Sequence, residues 1–505
     1  LCGLCHLLRM DFTEDNFKQL RAQMARLEVE NHYLKQQLQA VLGKLFGKSS
    51  EKINPDQLAL MFGVDSAAPG TPEAAAEVEE VASPRKKRDL KPRAERLPDD
   101  LPVEEVIIEP EEVLADPEAF KRIGEEIVEE LDVVPTRFFK RRIIRPKYVR
   151  ISDRSKPPVI APAPKRIIDN SYASAGLLEY IVLSKYCDHQ PLYRQAQIFK
   201  TRFGVEISRQ TMSDWMYRLA QMLAMIYEAI RDEIRSETYL QIDETPVRYQ
   251  NPGNGTCSQG YLWPYHAPGK AVFFEWHTGR GSECLDKTLK NFEGIVQSDG
   301  YSAYGAYLKR HPRAKIEFAA CWAHARRKFH EAQNESPFAA RMLHEIQELY
   351  KIEAELREDP ALDRRVVRQE KSLPILYRIG LQLQADQRNH LPKSQTGQAI
   401  SYTLNLWDKL LVYAGHAEME IDNNLVENAI RPTAIGKKNW LFFGSADAGQ
   451  TSAIHYTLLE TCRKLGINPS DYLRDILPRL PHMTSRTAKE YTPAQWKAAR
   501  DLEQR

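Results

Sequence analysis

Beyond residue 236 the sequence changes period, and this change limits the folds open to the chain. TYLQIDETPVRY (238–249), GYLWPYHA (260–267) and AVFFEWHT (271–278) are rich in β-branched and aromatic residues and read as three successive strands. GSECLDKTLKN (281–291) reads as a helix, GIVQSDGYSAY (294–304) as a strand ending in Asp-Gly, and IEFAACWAHARRKF (316–329) as a strand running into a helix. Residues 336–415 read as long helices interrupted at Pro360 and Pro392, and DNNLVENAIRP (422–432) as a last helix followed by KKNWLFFGS (437–445). The order is β-β-β-α-β-α-β-α, with a helical insertion before the last helix. Three antiparallel strands followed by parallel ones put the first and fourth side by side. Asp243 in the first strand and Asp299 at the C-terminal end of the fourth then share one end of the sheet, and Glu427 on the late helix leans over them.

Carboxylates gathered this way repel, so the cluster calls for divalent cations, and an all-oxygen donor set suits Mg²⁺ or Mn²⁺. Two such ions clamp the attacking and leaving oxygens of an in-line phosphoryl transfer. The stripe on the late helix agrees: Asn424, Glu427, Asn428 and Arg431 fall at i, i+3, i+4 and i+7, a spacing usually held by core residues. In that reading Glu427 points at metal, while Asn424, Asn428 and Arg431 line the site or touch phosphate. The competing reading is a capping-box variant, with Asn424 as N-cap, Glu427 at N3 and a Glu427–Arg431 ion pair, and Pro432 breaks the pattern of the stretch. Glu244 is a second choice for the first-strand carboxylate, but neighbouring strand residues face opposite sides, so only one can face the site. Asp422 reads as a helix cap. Cys321 and His324 form a lone C-x-x-H, half a zinc site, and read as strand-end packing with a DNA contact from His324. Arg326, Arg327 and Lys328 read as phosphate contacts, as do Lys437 and Lys438.

The other half of the chain reads as binding and assembly. Phe17, Met24, Asn31, Leu38 and Leu45 alternate with Leu20, Leu27, Leu34 and Val41 over four heptads, so 10–47 is expected to be a coiled coil, with Asn31 setting register and a two-stranded state. Residues 48–100 read as linker. Residues 101–160 suggest a small module without cysteine or histidine, so no structural zinc is expected there. In 161–235, PLYRQAQIFKTRF, a Gly204 turn and SRQTMSDWMYRLAQML have helix-turn-helix spacing. With Ser208 as N-cap, Arg209, Gln210 and Thr211 would face base edges or phosphates. The core is expected over 236–335 and 416–465, the insertion over 336–415, and a tail over 466–505.

Net charge is only +2, but it is blocked. PRKKRDLKPRAER (84–96) and RFFKRRIIRPKYVR (137–150) are basic, whereas 99–134 holds fourteen acidic residues, which points to polyanion contact and interdomain electrostatics. No apolar run reaches a membrane span. Seven cysteines in 505 residues give no disulfide framework, which favours a reducing cytoplasm. CGLCH (2–6) formally matches haem attachment, but a natural-looking start follows at Met10, and residues 1–9 are expected to be an extension.

LFGKSSEK (45–52), DETPV (243–247), SDGYSAY (298–304), CWAHARRKF (321–329), DNNLVENAIRP and KKNWLFFGS occur in one order across nearly the whole chain. In these pieces the chain resembles insertion-sequence transposases of the DDE type, in the family numbered sixty-six. The resemblance implies an α+β multidomain protein with an RNase-H-like core, and it maps a DDE triad onto Asp243, Asp299 and Glu427. It implies an N-terminal half that reads the element's terminal inverted repeats, double-stranded DNA as partner, and small accessory proteins of the same element. It implies water attack on a terminal phosphodiester and then attack of the freed 3′-hydroxyl on target DNA. Such an enzyme would act in the bacterial cytoplasm, on the nucleoid. The absence of cysteine in 101–160 departs from the family, which generally carries a zinc module there. The alternatives are a catalytically inactive or regulatory zipper and helix-turn-helix protein, or a structure-selective nuclease of the same fold. The heptads predict a homodimer or a multiple of one. Deleting residues 10–46 should lower the mass seen by light scattering, and an unchanged mass would exclude this assembly role.

Overall fold

The computed structural model describes residues 137–148, 159–160, 162–251 and 255–503. The coiled-coil expectation (Leu20, Leu27, Asn31, Leu34, Leu38, Val41), the linker and most of the 101–160 module lie outside these residues. Lys147–Tyr148 pairs antiparallel with Val159–Ile160, preceded by an extended stretch in which Phe139, Ile143 and Ile144 are exposed. Then come three helices: α1 (Ala175–Tyr186), α2 (Leu192–Phe203) and α3 (Arg209–Arg235). Pro191 opens α2, and Gly204, at φ +65°, closes it. Ser208 caps α3, its hydroxyl accepting the Thr211 N–H at 3.0 Å. The predicted helix-turn-helix spacing is therefore present, but the second helix is 27 residues long and its C-terminal half runs into the core.

The sheet has six strands: β1 (Tyr239–Ile242), β2 (Thr245–Gln250), β3 (Cys257–Ala267), β4 (Ala271–His277), β5 (Gly294–Ser298) and β6 (Ile316–Ala320). β3 pairs antiparallel with β4 on one side and with β1 and β2 on the other. β1 then pairs parallel with β5, and β5 with β6. The expected side-by-side placement of first and fourth strands is thus observed. The single strand expected over 238–249 is two strands, broken at Asp243–Glu244. Residues 281–291 form only a 3₁₀ turn and one helical turn. α4 (Ser302–Arg310) and α5 (Trp322–Ala332) follow β5 and β6.

β4 is an edge strand, and α3 and the later helix α10 cover it. In the insertion, α6 (Pro337–Glu358), α7 (Leu373–Asp386) and α8 (Gln395–Asn405) bury Phe338, Met342, Ile346, Leu376, Ile379 and Ile400 with Trp322 and Phe329 of α5. Pro360 and Pro392 sit in the loops between these helices, as expected. α9 (Asn424–Trp440) and α10 (Ala446–Lys464) complete the core. Two hydroxyls of α10 satisfy the open edge of β4: Thr457 Oγ1 accepts the Phe274 N–H at 2.9 Å, and Thr461 Oγ1 accepts the Val272 N–H at 3.1 Å. Tyr227 of α3 donates to the Phe274 carbonyl at 2.9 Å.

Two further expectations are revised. α9 does not stop at Pro432 but runs to Trp440. A proline at 432 deprives the Asn428 carbonyl of its helical donor. Arg463 of α10 supplies a replacement at 3.0 Å, and Lys464 donates to the Leu425 carbonyl at 3.0 Å. Residues 466–505 are no loose tail. α11 (Pro469–Ile476) and α12 (Pro493–Glu503) pack on the preceding helices, with Arg474 paired to Glu179 of α1 at 3.1 Å and Thr492 bonded to Glu233 of α3 at 2.6 Å.

A buried polar network ties the start of α9 to the two central strands. Gln241 of β1 and Gln297 of β5 are register partners and fully buried. Gln241 donates to the Asp422 carbonyl at 2.8 Å and accepts the Val426 N–H at 3.1 Å, while Gln297 donates to the Glu420 carbonyl at 2.9 Å. The Tyr239 hydroxyl joins the two, donating to Gln297 Oε1 and accepting from Gln241 Nε2 at 2.9 Å. Each buried group left without a partner costs ~1–3 kcal/mol. Gln241→Leu should therefore destabilise the protein by ~2–3 kcal/mol in denaturant unfolding. A loss below about 0.5 kcal/mol, the size of an ordinary surface change, would deny the network that role.

Candidate active site

β1 and β5 run parallel with Gln241 opposite Gln297, so Asp243 and Asp299, each two residues further on, leave the sheet at the same end. Asp243 folds back, its Oδ1 accepting the Glu244 N–H at 2.8 Å. Asp299 does likewise with the Tyr301 N–H at 2.8 Å. Gly300 between them has φ +85°, and a Cβ there would stand 2.6 Å from Leu406 of the insertion. Tyr402 of α8 donates to the Asp299 carbonyl at 2.7 Å. The insertion thus seats the turn that carries the second carboxylate.

Glu427 reaches the site from the first turn of α9. Helix α9 begins after Asn423, so Glu427 lies one position past the place a capping box needs. Asp422 does the capping: its carboxylate accepts the Asn424 N–H at 3.1 Å and the Asn424 side-chain amide at 2.9 Å. The Glu427 carboxylate faces α5, 3.7 Å from His324 Nε2 and 3.7 Å from Arg327 Nη2, and its buried Oε1 has no hydrogen bond. Burial pushes the Asp243 carboxyl up to about 8, and the nearby charges of Glu244, Asp299 and Glu427 push the same way. Burial holds the His324 imidazole below its usual value, with Glu427 pulling against it.

Glu244 is not turned away as strand alternation requires, because the strand breaks at 243–244. Arg280 holds its carboxylate, with Nε 2.8 Å from Oε1, and the Arg280 guanidinium lies 3.9 Å from the Tyr301 ring centre. Burial raises the Glu244 carboxyl despite this partner, and Asp299 adds to the rise.

The remaining site candidates fall into three groups. Arg326 and Arg327 are exposed on α5, and Lys328 lies 4.9 Å over the Tyr402 ring. Arg431 and Lys438 are exposed on α9, and Asn428 is half-buried. Lys437 is half-buried, and its ammonium donates to Thr245 Oγ1 and the Pro246 carbonyl, both at 3.1 Å. Arg209 and Gln210 are exposed at the start of α3, whereas Thr211 is partly engaged by the Ser208 hydroxyl at 2.9 Å. Cys321 is fully buried, accepts the Asn423 N–H at 3.4 Å, and has its thiol pushed up to about 12 by burial. That fits strand-end packing. Sequence reasoning passed over Tyr239, Gln241, Gln297, Arg280 and Tyr402. A glutamine inside each of the apolar strands YLQI and GIVQS was the available signal.

Asp243, Asp299 and Glu427 suit a hard divalent cation by donor type, by the unbonded buried oxygen of Glu427, and by the mutual repulsion felt at Asp243. Among the described residues, no three His, Cys, Asp or Glu side chains stand at the spacing of one ion. No helix of the described residues is long and apolar enough to cross a membrane.

The family model described as Transposase IS66 family matches residues 170–451, a span that holds all three carboxylates. A second, described as Transposase C of IS166 homeodomain, matches residues 33–106, across the last heptads and the stretch read as linker. The chain is 36% identical over 447 residues to Uncharacterized protein y4qI of Sinorhizobium fredii (strain NBRC 101917 / NGR234), covering 85% of this chain and 81% of that one. It is 32% identical over 513 residues to Uncharacterized protein y4jD of the same strain, covering 97% and 98%. Strand order, strand-end aspartates and a match over the catalytic region agree: the chain belongs to the IS66 family of transposases, with a DDE-type domain.

Proposed function

We propose that the protein binds the terminal inverted repeats of its element and catalyses metal-dependent DNA cleavage and strand transfer at Asp243, Asp299 and Glu427. The observation that carries this reading is the in-register pair Gln241–Gln297. It supports two aspartates at one strand end and clamps over them the helix that bears Glu427. These three carboxylates would hold Mg²⁺ or Mn²⁺, two ions in a complete site. Bound there, the metal neutralises phosphate charge and activates the attacking oxygen.

The protein's own groups do the rest. Arg327 stands beside Glu427 and is exposed enough to leave it for a phosphate, since an ion pair with an exposed arginine is weakly held. Arg326 and Lys328 on α5 and Arg431 and Lys438 on α9 serve as further phosphate contacts, with Asn424 and Asn428 on the same helix as Glu427. Arg280 neutralises Glu244, so the extra carboxylate adds no free charge where DNA phosphate must approach. Arg209 and Gln210 read base edges, with Thr211 on the phosphate next to them. The coiled coil pairs two chains on two ends, accessory proteins of the element join this complex, and the reaction takes place on nucleoid DNA in the cytoplasm.

Incubation with the element's own ends and Mg²⁺, scored for nicking and joining, is the direct test, and nicking without joining would mark a nuclease instead. Glu427→Gln, Asp243→Asn and Asp299→Asn should each lower both steps by orders of magnitude, with losses that do not add. End binding should hold, and thermal stability should stay near wild type. Near-normal joining by Glu427→Gln would leave the third carboxylate to be found elsewhere.

Arg209→Ala should weaken the specific end by ~1–3 kcal/mol if the arginine grips a base edge. A loss shared by all DNA, with the salt slope lowered by about one, would make it a phosphate contact. Normal binding would remove this helix from recognition.

A further inference from the structure

A cavity lies on the outer side of the β2–β3 hairpin, lined by none of the three carboxylates but joined to them through the chain. Its volume is about 580 Å³, and it is lined by Pro246, Arg248, Gln259, Lys437, Leu441 and Phe442, among others. Its floor is the outward face of β2, on which Pro246 and Arg248 are exposed. Its wall is the turn between α9 and α10.

That turn is built to hold apolar side chains in water. Leu441 sits at φ +65°, ψ −47°, a conformation a β-substituted residue adopts only when its surroundings impose it. Phe443 imposes it. The Phe443 N–H donates to the Arg248 carbonyl at 2.9 Å and its carbonyl accepts the Gln250 N–H at 2.9 Å, so the turn joins β2 as a short parallel bridge. The Phe443 ring is buried, stacked on Trp440 at 4.8 Å and edge-on to Trp276 at 5.4 Å. With Phe443 anchored inward, Leu441 and Phe442 are left facing out, 65% and 38% exposed. Hydrophobic collapse would hide both rather than fix them outward by a strained turn.

The charge around them is one-sided. Arg248 and Lys437 line the cavity, and no acidic residue does. Lys437 also ties the cavity to the catalytic turn through Thr245 Oγ1, two residues from Asp243. An aromatic face, an apolar wall and two cations in a cavity of ligand size are what an unstacked nucleotide requires: a ring for the base and cations for its phosphates.

We propose that this cavity takes one unstacked base of the DNA strand that passes the carboxylate site, with Phe442 as the stacking face, Leu441 as the wedge, and Arg248 and Lys437 on the flanking phosphates. The assignment rests on the strand-transfer reading of the carboxylate site, and its test is kept separate from activity. The full-length protein in EDTA is titrated with a fluorescent short oligothymidylate and, separately, with a duplex of the same length. Phe442→Ala should weaken the single strand about tenfold, at the lower end of what stacking on one ring contributes, and leave the duplex within about twofold. Phe442→Trp should keep the affinity, and its indole fluorescence should be quenched by the single strand. It also serves should the alanine variant fold poorly.

Equal losses on both DNAs, or no loss on the single strand, would overturn the assignment. So would a change in light-scattering mass on Phe442→Ala with DNA affinity intact, which would give the cavity to a second copy of the chain. Single-strand binding that depends on Phe442, with no nicking or joining in Mg²⁺, would sink the strand-transfer reading and leave the cavity standing. The reverse result would do the opposite.

Discussion

The strand end that carries Asp243 and Asp299 hangs on a pair of buried carboxamides. Gln241 and Gln297 face each other across the parallel pairing that, among the described residues, joins the antiparallel half of the sheet to the parallel half. Each spends its side chain on the segment 420–426, which lies far away in the sequence. Apolar residues at these positions would pack equally well but would leave the start of α9 without partners. A carboxamide has both a donor and an acceptor, so it can hold a carbonyl and an N–H of one turn at once. The polar pair therefore specifies where the third carboxylate stands.

The helical insertion acts on the same end from the other side. Tyr402 holds the Asp299 carbonyl, and Leu406 fills the space beside Gly300. Deeper in the insertion, the fully buried Arg368 is paired to Glu353 at 2.7 and 2.8 Å and also donates to the carbonyls of Tyr413, His416 and Met419. Those carbonyls belong to the segment leading into α9. A buried ion pair of this kind adds little net stability but is costly to break by halves. It holds the approach to α9 in one path. The insertion is thus a scaffold for both Asp299 and Glu427, and its removal would unseat two of the three carboxylates.

The opposite edge of the sheet is joined to the helices that precede it. Thr457 and Thr461 close the open edge of β4, and α3 bonds to the same strand through Tyr227. Because α3 begins with Arg209 and Gln210 and packs against β4, one continuous helix links these exposed residues to the core.

Much of this was legible from the residues. The period change at 236, the strand-end aspartates, the late Glu427 and the capped start of α3 are local patterns, set by side-chain alternation and turn chemistry that act over a few residues. Where reading failed, the deciding partner was distant. Pro432 signals a helix end, and only Arg463, brought alongside by packing, lets α9 continue. Alternation sets Glu244 against Asp243 only if the strand is unbroken, and the break between β1 and β2 undoes the argument. The polar residues 466–505 look like a tail until Glu179 and Glu233 meet them. The sequence by itself determined which residue types were available and in what order. The tertiary structure decided where Asp243, Asp299 and Glu427 stand, because their placement depends on hydrogen bonds from Gln241, Gln297 and Tyr402 to segments that local patterning cannot bring into contact.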